Sequence, residues 1–286
     1  STLGTTAGLA RLAGFNADQA TKALQIAAAL AGWCPAEVIF GQGGTIKPMM
    51  FGSWPGSVAL QAITYAQAGL DGPPLVLESP IGLYATLANS YKAEAITEPN
   101  AWHLAQPRRK RHACCGYIHS ALDAILELHR QGAPLESTHS IEVGMPAYII
   151  PGVSKTSPPR TPNEARFHAQ YCIALVLKGA KLILPSHSKD LDQHYPGIES
   201  LLSRIHIVQD DSLNHYHQSV VRGLNSDGIE IFAHRISAPK GAPLDPLSDD
   251  EVRGKFAQLC AEQLSEQEIS EYIEEIESLE SASNCG

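Results

Sequence analysis

The hydrophobic pattern changes period twice along this chain, and the changes divide it. In residues 1–104 apolar positions recur at helical spacing. Helices are predicted over 5–12, over 19–31 behind a cap at Asn16 or Asp18, and over 54–69 ending at Gly69. A further short helix is predicted within 78–91, after the loop at 71–74. The many Ala and Gly residues imply closely packed helices. Beyond Pro107 the pattern mixes. A helix is expected over 121–129 and another over 164–177, closed by Gly179. The stretch 140–150 (SIEVGMPAYII) alternates like a strand, 205–209 (IHIVQ) reads as a second, and 218–222 with 228–235 reads as a hairpin around Asn225-Ser226-Asp227-Gly228. Residues 151–162, rich in Pro, Ser and Thr, form a loop, and 239–246 form a linker. Helical periodicity returns over 249–263 and 266–279. The fold expected is mainly α with an α+β part. Residues 1–104 and 241–286 contribute to one helical domain, and 105–240 form a smaller inserted domain.

Composition narrows the class. The 286 residues are 44% hydrophobic and 18% charged, enough for a sizeable core. The net charge of -9, with acid gathered at Glu266, Glu268, Glu271, Glu274, Glu275, Glu277 and Glu280, argues against a nucleic-acid surface. No apolar run spans a membrane, and no secretory signal pattern is present. Six scattered cysteines, at 34, 114, 115, 172, 260 and 285, form neither a CxxC pair nor a disulfide framework, which fits the cytoplasm. The first residue, Ser1, carries two readings: removal of an initiator Met, or a piece of a longer or split protein.

The candidate chemistry is concentrated in residues 110–119, KRHACCGYIH, where cations, two thiols and two imidazoles precede the 121–129 helix. Such a loop suits an anionic substrate with several carboxylates. Cys114 and Cys115 with His112 and His119 have zinc-ligand chemistry, yet adjacent cysteines reach one tetrahedral ion poorly and no second cluster has fitting spacing, so no metal is assigned. Cys115 could be a nucleophile activated by Lys110, Arg111 and His119, but a buried or substrate-contacting thiol is the preferred reading. Lys47 follows GQGGTI; Pro48 stands where a P-loop needs Ser or Thr, so a phosphate cradle fails. Lys47 is either a solvated charge or an anion-binding lysine. His215 and His217 are expected on a surface loop.

Residues 8–30, 47–77, 110–128, 164–179 and 246–258, in that order and spacing, resemble the MmgE/PrpD family, which includes 2-methylcitrate dehydratase, cis-aconitate decarboxylase and iminodisuccinate epimerase. The resemblance runs from Gly4 to about Cys260. It implies a large helical domain, a smaller α/β lid, an active site in the cleft between them, homodimers, and no metal or organic cofactor. It implies chemistry on di- or tricarboxylates through a carbanion or enolate-like state, with lysines neutralising carboxylates and histidine-type groups moving protons.

By the same resemblance, Lys47 and Lys110 match the family's carboxylate-binding lysines, and Arg111 lies beside the second. Cys115 falls where some members have a catalytic histidine and others a cysteine, and His119 matches a histidine at the start of the lid helix. Two departures stand out. Met50 occupies the position of a family histidine after the first lysine. The family's N-terminal half, with its Asp and His residues, is not in these residues. A 2-methylcitrate-like dehydration is therefore expected, with cis-aconitate-type decarboxylation and dicarboxylate epimerisation as alternatives. From another class, a non-catalytic partner subunit or binding module remains open. A homodimer, or a complex with a chain supplying the missing half, is expected. The compartment is the cytoplasm, or the mitochondrion if a transit segment has been removed.

Overall fold

The computed structural model describes residues 1–32, 49–96 and 103–281, which divide into two compact units, one within residues 1–102 and one within 103–286. Lys47 lies outside the described residues.

In the first unit, helices α1 (Thr2–Leu12), α2 (Ala17–Leu30) and α3 (Trp54–Gln67) pack on one another. Their shared core is Ala10, Ala23, Ile26, Ala27, Ala62, Ile63 and Ala66, and its small side chains let the backbones approach closely. Asn16 accepts from the Gln19 N–H while the Gln19 side chain accepts from the Asn16 N–H, a reciprocal cap that fixes where α2 starts. The helix predicted within 78–91 is only Leu83–Leu87. The preceding Pro73, Pro74 and Pro80 hold residues 73–82 in turns.

The second unit is built on a four-stranded sheet in the order β2-β1-β3-β4. Its elements are α4 (His119–Arg130), β1 (Ser140–Met145), α5 (Pro162–Arg166), α6 (Ala169–Leu177), β2 (Ile205–Gln209), β3 (Ser219–Leu224), β4 (Glu230–Ile236), α7 (Asp249–Cys260) and α8 (Glu266–Ser278). β1 runs parallel to β2 and antiparallel to β3, and β3 pairs antiparallel with β4. The predicted hairpin is present, its turn held by Asn225 Oδ1 accepting from the Asp227 and Ile229 N–H groups. The strand expected over 140–150 stops at Met145. Pro146 has no N–H to donate to the ladder, and a helical turn follows.

Helices α4 and α6 pack against each other, with α4 on β3 and β4 and α6 on β2. α4 buries Ala121, Leu122, Ala124, Ile125 and Leu128 while His129 and Arg130 face solvent, the one-sided pattern its sequence predicts. Every residue of α6 is buried. The helix predicted over 164–177 is broken at Phe167 and His168. The His168 ring takes the place of a helical turn: Nδ1 accepts from the Tyr171 N–H at 3.2 Å and Nε2 donates to the Ser157 carbonyl at 3.0 Å. Replacing His168 with Ala removes a cap and the donor to the Ser157 carbonyl. We expect a loss of about 1–3 kcal/mol in urea unfolding at unchanged m-value.

Candidate active site

The loop from Arg108 to Ile118 is fixed from three sides. The Arg109 N–H donates to the Gly241 carbonyl, the Ala113 N–H to Ile183, and the Cys115 N–H to Arg166, each at 2.8 Å. Gly241 has φ +93, and a Cβ there would collide with the Arg109 carbonyl, so this junction requires glycine. Asp123, one turn into α4, closes the clamp. Its Oδ2 accepts from the Lys240 N–H at 2.7 Å, while Oδ1 lies 3.4 Å from both the Arg111 guanidinium and His112 Nε2. His112 Nδ1 accepts from the Ile183 N–H, so the ring proton sits on Nε2 and points to Asp123.

Lys110 is exposed, and its ammonium donates to the Cys114 carbonyl at 3.3 Å. The Lys255 ammonium, from α7, donates to the Lys110 carbonyl. Burial and the Lys110 charge push Lys255 below its ordinary pKa. Among the described residues no carboxylate forms an ion pair with Arg108, Lys110 or Lys255. Among its described residues an acidic protein thus gives these three cations around one loop no counter-ion.

His119 opens α4 and is 1% exposed. Burial, then the His112 ring, Arg108 and Lys110, lower its pKa to about 2. The positive end of the helix acts in the same direction. Its Nε2 is buried without a hydrogen-bond partner among the described residues, and its ring meets His112 edge-on at 5.2 Å. Neutral imidazole is therefore the working form, able to hydrogen-bond a ligand but a weak proton acceptor.

Cys115 is 6% exposed, and burial pushes its thiol up to about 11 despite Lys110 and Arg108. Lys110 and Arg108, rather than Arg111 and His119, are the charges that lower this thiol, but desolvation outweighs them, so the resting group is a thiol rather than a thiolate. Cys114 is held above its ordinary value by burial and by Cys172. Arg111 is drawn away from Lys110: paired with Asp123, it lines a cavity of about 470 Å³ with Arg130, His234 and Lys240. Neither Lys110, Cys115 nor His119 lines that cavity. Among the described residues no three His, Cys, Asp or Glu side chains converge on a metal position.

Three contributors were not singled out in the sequence. Asp123 and His119 are four apart on one helix, a spacing that places them on the same side. Arg108 belongs to the cationic run 108–111. Lys255 carries no local signal, because only the packing of α7 brings it here.

Comparison with known proteins places these elements. Residues 112–280 match the MmgE/PrpD C-terminal domain. The chain belongs to the MmgE/PrpD family. A cis-aconitate decarboxylase-like protein of Aspergillus oryzae, oryM, is 24% identical over 207 residues, covering 68% of this chain and 42% of its own length. The chain thus spans less than half the length of that curated relative. The MmgE/PrpD match starts at His112 and takes in Cys115, His119 and Lys255. No helix among the described residues is long and apolar enough to cross a membrane.

Proposed function

We propose that this MmgE/PrpD chain is the substrate-binding part of a lyase acting on a di- or tricarboxylate, in a 2-methylcitrate-like dehydration. The carrying observation is the pair of cations with no counter-ion among the described residues, Lys110 with Lys255, beside the buried neutral His119. Carboxylates are the ligands that complete such a group, since each lysine gains a charge-assisted hydrogen bond. In dehydration a proton leaves one carbon and hydroxide the next, forming C=C. Charge builds on the adjacent carboxylate, where Lys110 stabilises it. His119 and Cys115 border this position as neutral groups. Lys47 would bind a further carboxylate.

Proton transfer then calls on groups beyond this loop, which a chain bearing the family's N-terminal half would supply; a homodimer is the other assembly proposed. The large exposed side chains of the first unit, Leu12 at 84% and Ile81 at 90%, support such a partner. The cytoplasm is the proposed compartment.

The likeness to oryM favours a second reading, decarboxylation of a cis-aconitate-type acid. The same cations would then stabilise the carbanion left when carbon dioxide departs. Epimerisation of a dicarboxylate uses the same stabilisation.

Calorimetric titration with 2-methylcitrate and cis-aconitate tests the proposal. Replacing Lys110 with Ala is expected to weaken binding roughly tenfold or more. Unchanged affinity would remove the assignment. Product analysis then separates the readings: released carbon dioxide marks decarboxylation, and binding without turnover marks a binding module.

A further inference from the structure

One cation in this region remains without a role. The Arg108 guanidinium donates one hydrogen bond, from Nη2 to the Gly116 carbonyl at 2.9 Å, and lies 4.9 Å from the centre of the Tyr216 ring. Gly116 permits this, since a Cβ there would stand 3.0 Å from the guanidinium. Arg108 is therefore held by a backbone carbonyl and an aromatic ring. The other N–H groups of its fork have no carboxylate partner among the described residues.

Beside it lies His217. The Ser120 hydroxyl donates to the His217 carbonyl at 2.6 Å, which ties the 214–218 loop to the start of α4. Among the described residues His217 Nε2, like His119 Nε2, is buried without a hydrogen-bond partner. Arg108 acts electrostatically on both rings. Leaving a buried polar nitrogen unmatched is costly, so two of them in the field of one guanidinium that has no carboxylate among the described residues call for a ligand. His217 stays neutral there, lowered to about 4 by burial, Arg108 and His215.

We infer that Arg108 and His217 form a second carboxylate-binding position beside Lys110, so that this unit grips two carboxylates of one ligand. The inference rests on the polycarboxylate reading above and specifies it: a monocarboxylate is excluded from tight binding. The span is suitable. Lys110 is anchored on the Cys114 carbonyl and Arg108 on that of Gly116, two residues on, within roughly 7 Å of backbone. One carboxylate takes the planar fork of Arg108 and accepts from His217 Nε2–H, and the other meets Lys110.

The test is calorimetric titration of the chain with citrate, glutarate and butyrate, which carry three, two and one carboxylates. Citrate and glutarate should bind the native chain more tightly than butyrate. Arg108→Gln should weaken glutarate roughly tenfold or more, down to the butyrate level, with butyrate unchanged. Arg108→Lys should restore part of the loss. Glutarate affinity unchanged in Arg108→Gln, or an equal loss for butyrate, overturns the second position while leaving the polycarboxylate reading intact. Failure of the native chain to bind any of the three overturns the reading itself. A readout that needs no variant is the ¹⁵N resonance of His217 Nε2. It should move on saturation with glutarate and stay in place with butyrate, and a resonance indifferent to glutarate counts against the inference.

Discussion

Replacing Asp123 with Ala should destabilise the second unit by about 2–4 kcal/mol, more than the loss of any single surface ion pair. The reason is the number of groups this carboxylate completes. Its side chain is 10% exposed, and it receives the Lys240 N–H, the Arg111 guanidinium and His112 Nε2. Alanine strands all three: a backbone donor, a half-buried cation and an imidazole that is 1% exposed. The short contact to Lys240 N–H, 2.7 Å, carries more of the effect than the two at 3.4 Å. Asp123→Asn keeps an acceptor for Lys240 and removes the charge, so it should lose less. Urea unfolding at fixed pH, followed by a probe in this unit, measures both. Near-equal stability of Asp123→Ala and the native chain would show that the clamp on the Arg108–Ile118 loop lies elsewhere.

How much of this was legible in the sequence differs by element. The paired strands, the buried helix α6 and the stripe on α4 announce themselves through period, because one face or all faces must leave water. What failed were boundaries set by tertiary contacts. His168 breaks a helix whose apolar pattern runs through it, because its ring finds both a backbone donor and the Ser157 carbonyl. Pro146, visible in the sequence, was outweighed by the apolar alternation around it.

The site shows the same division. Lys110, Cys115 and His119 are brought to one loop as their proximity in the chain requires. Arg111, next to Lys110, turns instead to Asp123. Lys255 and His217 arrive from 145 and 97 residues away along the chain from their respective hydrogen-bond partners, Lys110 and Ser120, and no local spacing could announce them. Charge shows the limit most clearly. The net value of -9 describes the whole chain and hides a region where Arg108, Lys110 and Lys255 have no carboxylate partner among the described residues.

Acid should unfold the second unit earlier than its carboxylates alone would dictate, and His119 is the reason. Its folded pKa, about 2, lies below the ordinary 6.5, so the unfolded chain binds a proton that the folded chain refuses. Stability therefore rises with pH across this window. The histidine imposes no penalty above pH 6.5, and the penalty grows as pH falls from there toward the folded value. The slope is about 1.4 kcal/mol per pH unit, so near pH 5 the cost from this ring is roughly 2 kcal/mol. His112, also lowered by burial, adds in the same direction. Urea midpoints collected from near pH 7 down to near pH 5 should fall in the native chain and fall less steeply in His119→Gln, which has no proton to gain. Parallel slopes for the two proteins would mean that His119 accepts its proton in the folded state. A bound polycarboxylate should oppose the trend, because negative charge beside Arg108 and Lys110 offsets the cations that keep the ring neutral. Ligand should then protect more at pH 5 than at pH 7, and only if it reaches this side of the loop.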